Sequence, residues 1–133
     1  MSYFDNIGNR EKPLVWIGTL GKDGNPHVVP TSFVRPLEGG RKIVVGGVFI
    51  VQTVKNLEKH PKVSLSSAKF SEGYDGYLIK GTAKIVREGK EFDEFKKLIH
   101  DATKGRRTIK WMIVVDVDRI YSLKPIDGRK RVN

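Results

Sequence analysis

Apolar and β-branched residues gather in short runs along this chain, the composition of strands, and in the run Lys62 to Lys69 the apolar residues fall at alternate positions. Leu14 to Leu20 (Leu-Val-Trp-Ile-Gly-Thr-Leu) and His27 to Val34 are two such runs. Between them lies Gly21-Lys22-Asp23-Gly24-Asn25-Pro26, all turn formers, so the pair is expected to fold as a hairpin. Arg41 to Gly47, after the Glu38-Gly39-Gly40 turn, is the third predicted strand. Lys62 to Lys69 is the fourth, Tyr77 to Val86 the fifth and Trp111 to Leu123 the sixth. In the fifth, Tyr77, Ile79, Gly81, Ala83 and Ile85 share one face, and the small residues Gly81 and Ala83 would ease the bend of a strand wrapped around a small barrel.

Two segments change to the helical period. Phe92, Phe95, Leu98, Ile99 and Ala102 recur at three- and four-residue spacing with charged residues between them, which predicts a surface helix laid on the sheet. A shorter helix begins near Thr53 and ends before Pro61, because proline pushes His60 out of helical geometry. The expected fold is mainly β, a β-barrel with α additions: six antiparallel strands in a Greek-key split barrel with two helices. It spans residues 1–133 as one domain, with about 12 N-terminal and about 8 C-terminal residues peripheral, as chain ends often are. Closing the sheet would remove its long exposed edges.

The 133 residues are 38% apolar and 30% charged, which fits one globular unit. No apolar run approaches the roughly 18 residues of a membrane span. The absence of cysteine excludes a disulfide framework, a thiolate zinc site and a cysteine nucleophile. Residues 1–10 carry Asp5 and Asn6 and no apolar centre, so no signal peptide is expected and the reading is cytoplasmic. The formal charge of +10 attracts polyanions such as nucleic acid, anionic lipid or a phosphorylated cofactor, without choosing among them. The densest basic stretches are Lys104 to Lys110 and Arg129-Lys130-Arg131, the latter read as a solvated end.

His27, His60 and His100 lack metal-ligand spacing, so no metal site is expected, and no GxSxG, P-loop or GxGxxG pattern occurs. Asp93-Glu94 reads as solvated charge on a helix. Two other places carry candidate chemistry. Pro30 interrupts a strand sequence, which marks either an edge strand or a break where the groups of Thr31, Ser32 and Phe33 could meet the polar edge of a heteroaromatic ligand. After Gly46-Gly47, Thr53 could cap a helix whose free amides, with Gln52, Lys55 and Asn56, would suit a phosphate; Thr53 as a plain helix cap is the simpler alternative. Trp16, Trp111 and Tyr121 are strand aromatics, of the kind that fill a core or a dimer interface, or wall a cofactor. Lys104 to Lys110 beside Trp111 could serve a single-stranded nucleic acid, but no RRM, KH or cold-shock aromatic pattern accompanies it.

The ordered set Leu14 to Leu20, the Gly-Lys-Asp-Gly-Asn-Pro turn, His27-Val28-Val29-Pro30-Thr31, the run from Gln52 to Val63 and Gly81-Thr82-Ala83 resembles the pyridoxamine 5'-phosphate oxidase-like FMN-binding split β-barrel family, and within it the small FMN-binding proteins. The resemblance implies a homodimer with FMN in a groove between two subunits, deazaflavin or haem replacing it in some members. Pro30, Thr31, Ser32 and Phe33 match the strand bordering the isoalloxazine, and Gln52, Thr53, Lys55 and Asn56 the phosphate segment. The family's Lys-Thr pair is Gln52-Thr53 here, so Lys55 would supply the missing charge. Trp111 matches a segment near the flavin. The implied function is an FMN-dependent oxidoreductase or electron-transfer protein exchanging electrons with a small-molecule or protein donor or acceptor. The alternative is a non-catalytic flavin or deazaflavin module, or a nucleic-acid-binding barrel. The chain is shorter than a true pyridoxamine phosphate oxidase and lacks its C-terminal extension, which argues against vitamin synthesis.

Overall fold

The computed structural model describes residues 2–48, 50–70, 73–125 and 130–133, and of Tyr74 the backbone alone. Arg129, of the basic stretch singled out above, lies outside the described residues. Strands are β1 (Asn6–Ile7), β2 (Val15–Leu20), β3 (Pro26–Thr31), β4 (Phe33–Leu37), β5 (Lys42–Gly47), β6 (Lys62–Phe70), β7 (Tyr74–Val86) and β8 (Trp111–Ser122). The helices are α1 (Val51–Lys59) and α2 (Lys90–Ala102). The strands form one sheet in the order β1-β4-β5-β8-β7-β6-β2-β3, and every pairing is antiparallel.

Eight described strands replace the expected six. The run His27 to Val34 divides at Ser32, and the short β1 joins the far side of the sheet. That division shapes the molecule. β3 is one end of the sheet and β4 is next to the other end, yet a single residue connects them. The Cα atoms of Thr31 and Phe33 can be no more than about 7 Å apart, so the sheet must curl until its ends meet. The fold is therefore a split barrel whose seam runs through Ser32. The N-terminal segment closes part of this seam: Gly8 N–H donates to the Ser32 carbonyl at 2.7 Å, and β1 pairs Ile7 with Phe33.

Alternation dictates what enters the barrel. Val15 and Ile17 of β2, Leu65 of β6, Ile79 of β7 and Ile113 and Val115 of β8 are fully buried together. On β7, Tyr77, Ala83 and Ile85 pack against the same core, as their shared face predicts. The ladder between β7 and β8 slips at Lys80/Gly81, and a Cβ on Gly81 would run into the Asp116 carbonyl. The bend thus requires a residue without a side chain. Phe4 and Asn6 are buried too, so the N-terminal segment is not peripheral but part of the core. At the other end, the described tail returns to β8, with Val132 N–H donating to the Ile120 carbonyl and Arg131 bridging Tyr121.

The helices cover what the sheet leaves open. α1 places Val54 and Leu57 in the barrel core and stops at Lys59, where His60 turns extended before Pro61. α2 lays Phe92, Phe95 and Ile99 on the outer face of β5 and β8 against Val44 and Met112, with Ile109 sealing the second core. Ala102, expected on the apolar face, is exposed at the last position of the helix, one turn beyond the buried Ile99. Among the described helices none is long and apolar enough to cross a membrane.

Candidate functional site

The seam opens a cleft of about 260 Å³. Pro30, Thr31, Ser32 and Phe33 form one wall. Gly46, Val48 and Ile50, from the end of β5 and the connection to α1, form another, and Arg107 closes the rim. All four residues expected to border an isoalloxazine are thus brought together. β3 is also an edge, paired with β2 alone among the described strands, and the strand breaks two residues after Pro30, at Ser32. Not every backbone group there is open to a ligand. The Phe33 N–H donates to Thr31 Oγ1 at 3.2 Å, and the Ser32 carbonyl is taken by Gly8.

Ile50 links this cleft to the start of α1. It is the residue before the first helical turn, and no side chain caps the helix. Thr53, expected to be that cap, is instead the third residue inside α1, because the helix begins two residues earlier. It is fully buried and its Oγ1 has no hydrogen-bond partner. A buried hydroxyl without a partner costs stability. An uncapped helix start presents its first amides and the positive end of its dipole. The uncapped turn follows directly on Ile50, which lines the cleft, and a helix start there suits an anion, while the Thr53 hydroxyl is buried behind it and not among the cleft-lining residues.

Gln52, Lys55 and Asn56 go elsewhere. They line a second cleft, of about 600 Å³, between α1 and the β2–β3 turn, with Lys22, His27 and Lys59 on its walls. Gln52 Nε2 donates to Asn56 Oδ1 at 2.9 Å, and Asn56 Nδ2 donates to Thr19 Oγ1 at 3.0 Å. These bonds tie α1 to β2. The acids on this cleft have partners of their own. Glu58 pairs with Arg87 at 3.4 Å, and Asp23 accepts from Asn25 within the turn, which holds its carboxyl below the usual carboxylate range.

Trp111 is half-buried on β8, directly opposite Gly47. A Cβ at Gly47 would overlap the indole ring, so that glycine makes room for the tryptophan. The Trp111 Nε1 is buried and unpartnered. The indole packs on the barrel core and is not among the residues lining the cleft. Sequence reasoning missed Val48, Ile50 and Arg107 as cleft residues; Arg107 had a signal in the basic stretch Lys104 to Lys110. Among the described residues, no three His, Asp or Glu side chains gather where they could hold a metal ion.

An antiparallel sheet curled shut across a one-residue seam, plugged by one helix and flanked by another, defines a split-barrel protein with its candidate site at the seam. Residues 9–124 match the family model described as Pyridoxamine 5'-phosphate oxidase, and the chain belongs to that family. It is 32% identical over 119 residues to the uncharacterized protein MJ0282 of Methanocaldococcus jannaschii, covering 89% of this chain and 78% of that protein. The crystal structure of HupZ from Group A Streptococcus superposes with a TM-score of 0.73 at 26% identity, covering 84% of this chain and 86% of that one. An FMN-binding protein from Syntrophomonas wolfei subsp. wolfei shares the fold at TM-score 0.75 and 17% identity, over 83% of this chain and 76% of that one. The fold also occurs in an F420 reductase, at TM-score 0.61, 19% identity and 81% of this chain against 88% of that one. A heme binding protein from Mycobacterium smegmatis has it at TM-score 0.63, 20% identity and 84% against 48%.

Proposed function

We propose that the seam cleft binds a flavin, with FMN the best fit, and that the chain works as a flavin-dependent oxidoreductase or electron-transfer protein. The observation that carries this reading is the junction of the cleft with the uncapped start of α1 at Ile50. The Pro30–Phe33 wall and Val48 and Ile50 offer an apolar slot with polar backbone along it. The first amides of α1 and the orphan Thr53 hydroxyl offer donors to a phosphate. A flavin held there would supply reversible hydride or electron transfer with a small-molecule or protein partner. The chain's own residues bind the phosphate, orient the ring and keep water from one face of it.

We further propose that the working unit is a homodimer. Trp16, Gly18 and Leu20 of β2 face outward opposite Pro30, Val28 and Pro26 of β3. Trp16 is 45% exposed, Leu20 41% and Val28 58%, a contiguous apolar patch in a chain that is otherwise strongly charged. It adjoins the cleft through Pro30, so a second copy seated on it would complete the ligand's cover. Trp16 accordingly fills no core within one chain.

Mass spectrometry of the ligand retained by the native purified protein, with its particle mass by light scattering, tests both statements. Bound FMN on a dimer supports them. Retained deazaflavin or haem reassigns the cofactor within the same cleft. A ligand-free monomer that takes up no added FMN rejects the reading.

A further inference from the structure

Among the described residues lining the seam cleft, Arg107 alone carries a charge. Its placement is built. Thr103 Oγ1 donates to the Ile99 carbonyl at 2.9 Å at the end of α2 and accepts the Arg107 N–H at 3.0 Å. The chain between them turns through left-handed Lys104 and Gly105, and Gly105 N–H closes on the His100 carbonyl at 2.7 Å. Two residues beyond Arg107, Ile109 is buried in the second core, and Lys110 N–H donates to the Gly47 carbonyl at 3.2 Å. The backbone that carries Arg107 is therefore pinned on both sides, and Nη1 donates to the Arg106 carbonyl at 3.2 Å. Lys55 lies in the other cleft.

We propose that Arg107 is the residue by which this chain favours the reduced, anionic form of the flavin ring over the oxidised form. The inference rests on the flavin reading above. The oxidised ring is neutral; taking up two electrons and one proton leaves it with one negative charge. Arg107 is exposed at the rim of a largely apolar cleft, and a cation carried there on pinned backbone interacts more strongly with that charge than with the neutral ring. Because binding and reduction are linked, tighter binding of the reduced form means a higher midpoint potential for the bound flavin. Arginine suits this work because its charge persists at any working pH.

The test uses the full chain, Arg107→Gln and Arg107→Lys, with added FMN and dithionite as reductant. Oxidised-FMN affinity is read by fluorescence quenching and midpoint potential against an indicator dye. Arg107→Gln is expected to lose about tenfold of the preference for reduced over oxidised flavin, a fall of about 30 mV for a two-electron couple. Its affinity for oxidised FMN should stay within about threefold of wild type, well under the tenfold that 1.4 kcal/mol represents. Arg107→Lys should recover most of the potential. Equal weakening of both redox forms, or an unchanged potential with flavin bound, overturns the assignment. A wild-type chain that binds no FMN fails earlier, and refutes the flavin reading itself together with this one.

Discussion

Trp16 lies directly opposite Pro30 in the β2–β3 pair, so the exposed apolar patch and the wall of the seam cleft share one cross-strand couple. Whatever covers the first also bounds the second. Trp16→Glu places a charge at the centre of that patch and is expected to convert the proposed dimer to monomer, at a cost of about 2 kcal/mol or more to association. Flavin affinity should fall with it. Analytical ultracentrifugation alongside a flavin titration checks this; a dimeric variant with intact flavin binding would place the interface elsewhere.

The orphan hydroxyl of Thr53 gives a prediction with two signs. Thr53→Val removes a buried polar atom that lacks a partner, so the ligand-free protein should gain stability, by up to about 1 kcal/mol, in chemical denaturation. The same change should weaken FMN by about 1–3 kcal/mol, because a charge-assisted contact to phosphate is lost. Riboflavin, which lacks the phosphate, should bind both forms alike. Lys55→Ala, by contrast, alters a residue of the cleft beside the β2–β3 turn and should change FMN affinity by less than about 1 kcal/mol. A large loss in that variant would move the phosphate to the second cleft.

Gly47 is required by its neighbour. With Trp111 opposite, Gly47→Ala forces the indole from its place on the barrel core and should destabilise the fold by about 1–3 kcal/mol. Trp111 fluorescence would shift as the ring moves. Gly47→Ala combined with Trp111→Phe should recover part of the loss, since the smaller ring leaves space for the methyl group. Additive losses in the double variant would mean that the two sites do not compete for volume.

The Tyr3 phenol is pushed up to about 12, by burial first and then by the Asp75 carboxylate. The folded chain therefore keeps this proton where the unfolded chain, at 10.0, has lost it. The stabilising contribution is complete below pH 10 and disappears as the pH rises from 10 towards 12. In absorbance titration at alkaline pH the Tyr3 phenolate should appear towards pH 12, and Tyr3→Phe should delete that step. The variant should also lose less stability than wild type across the same interval.

The barrel's strands were legible because alternation is a local property. Leu65 and Ile79 stand in period-two runs, Ile113 and Val115 in a continuous apolar run, and all became core. The helix over Lys90–Ala102 was legible for the same reason in its own period. Pro61 set the end of α1, since proline acts on the residue beside it. The start of α1 was misplaced: threonine is a frequent cap, but burial of Thr53 was settled by the packing of Val54 and Leu57 into the barrel.

Strand existence, the pairing of Gly with a bend at position 81 and the interruption of the strand near Pro30 follow from residue types and short spacings. Tertiary structure alone decided that Thr31 lies on one end strand of the sheet and Phe33 on the strand next to the other end, and that Arg107 reaches the seam from 74 positions beyond Phe33. It likewise turned Gln52, Lys55 and Asn56 away from that seam. The reason is range. Periodicity and turn chemistry act over a few residues, whereas a cleft is formed wherever the closing sheet brings distant backbone together, and closure depends on all the strands at once.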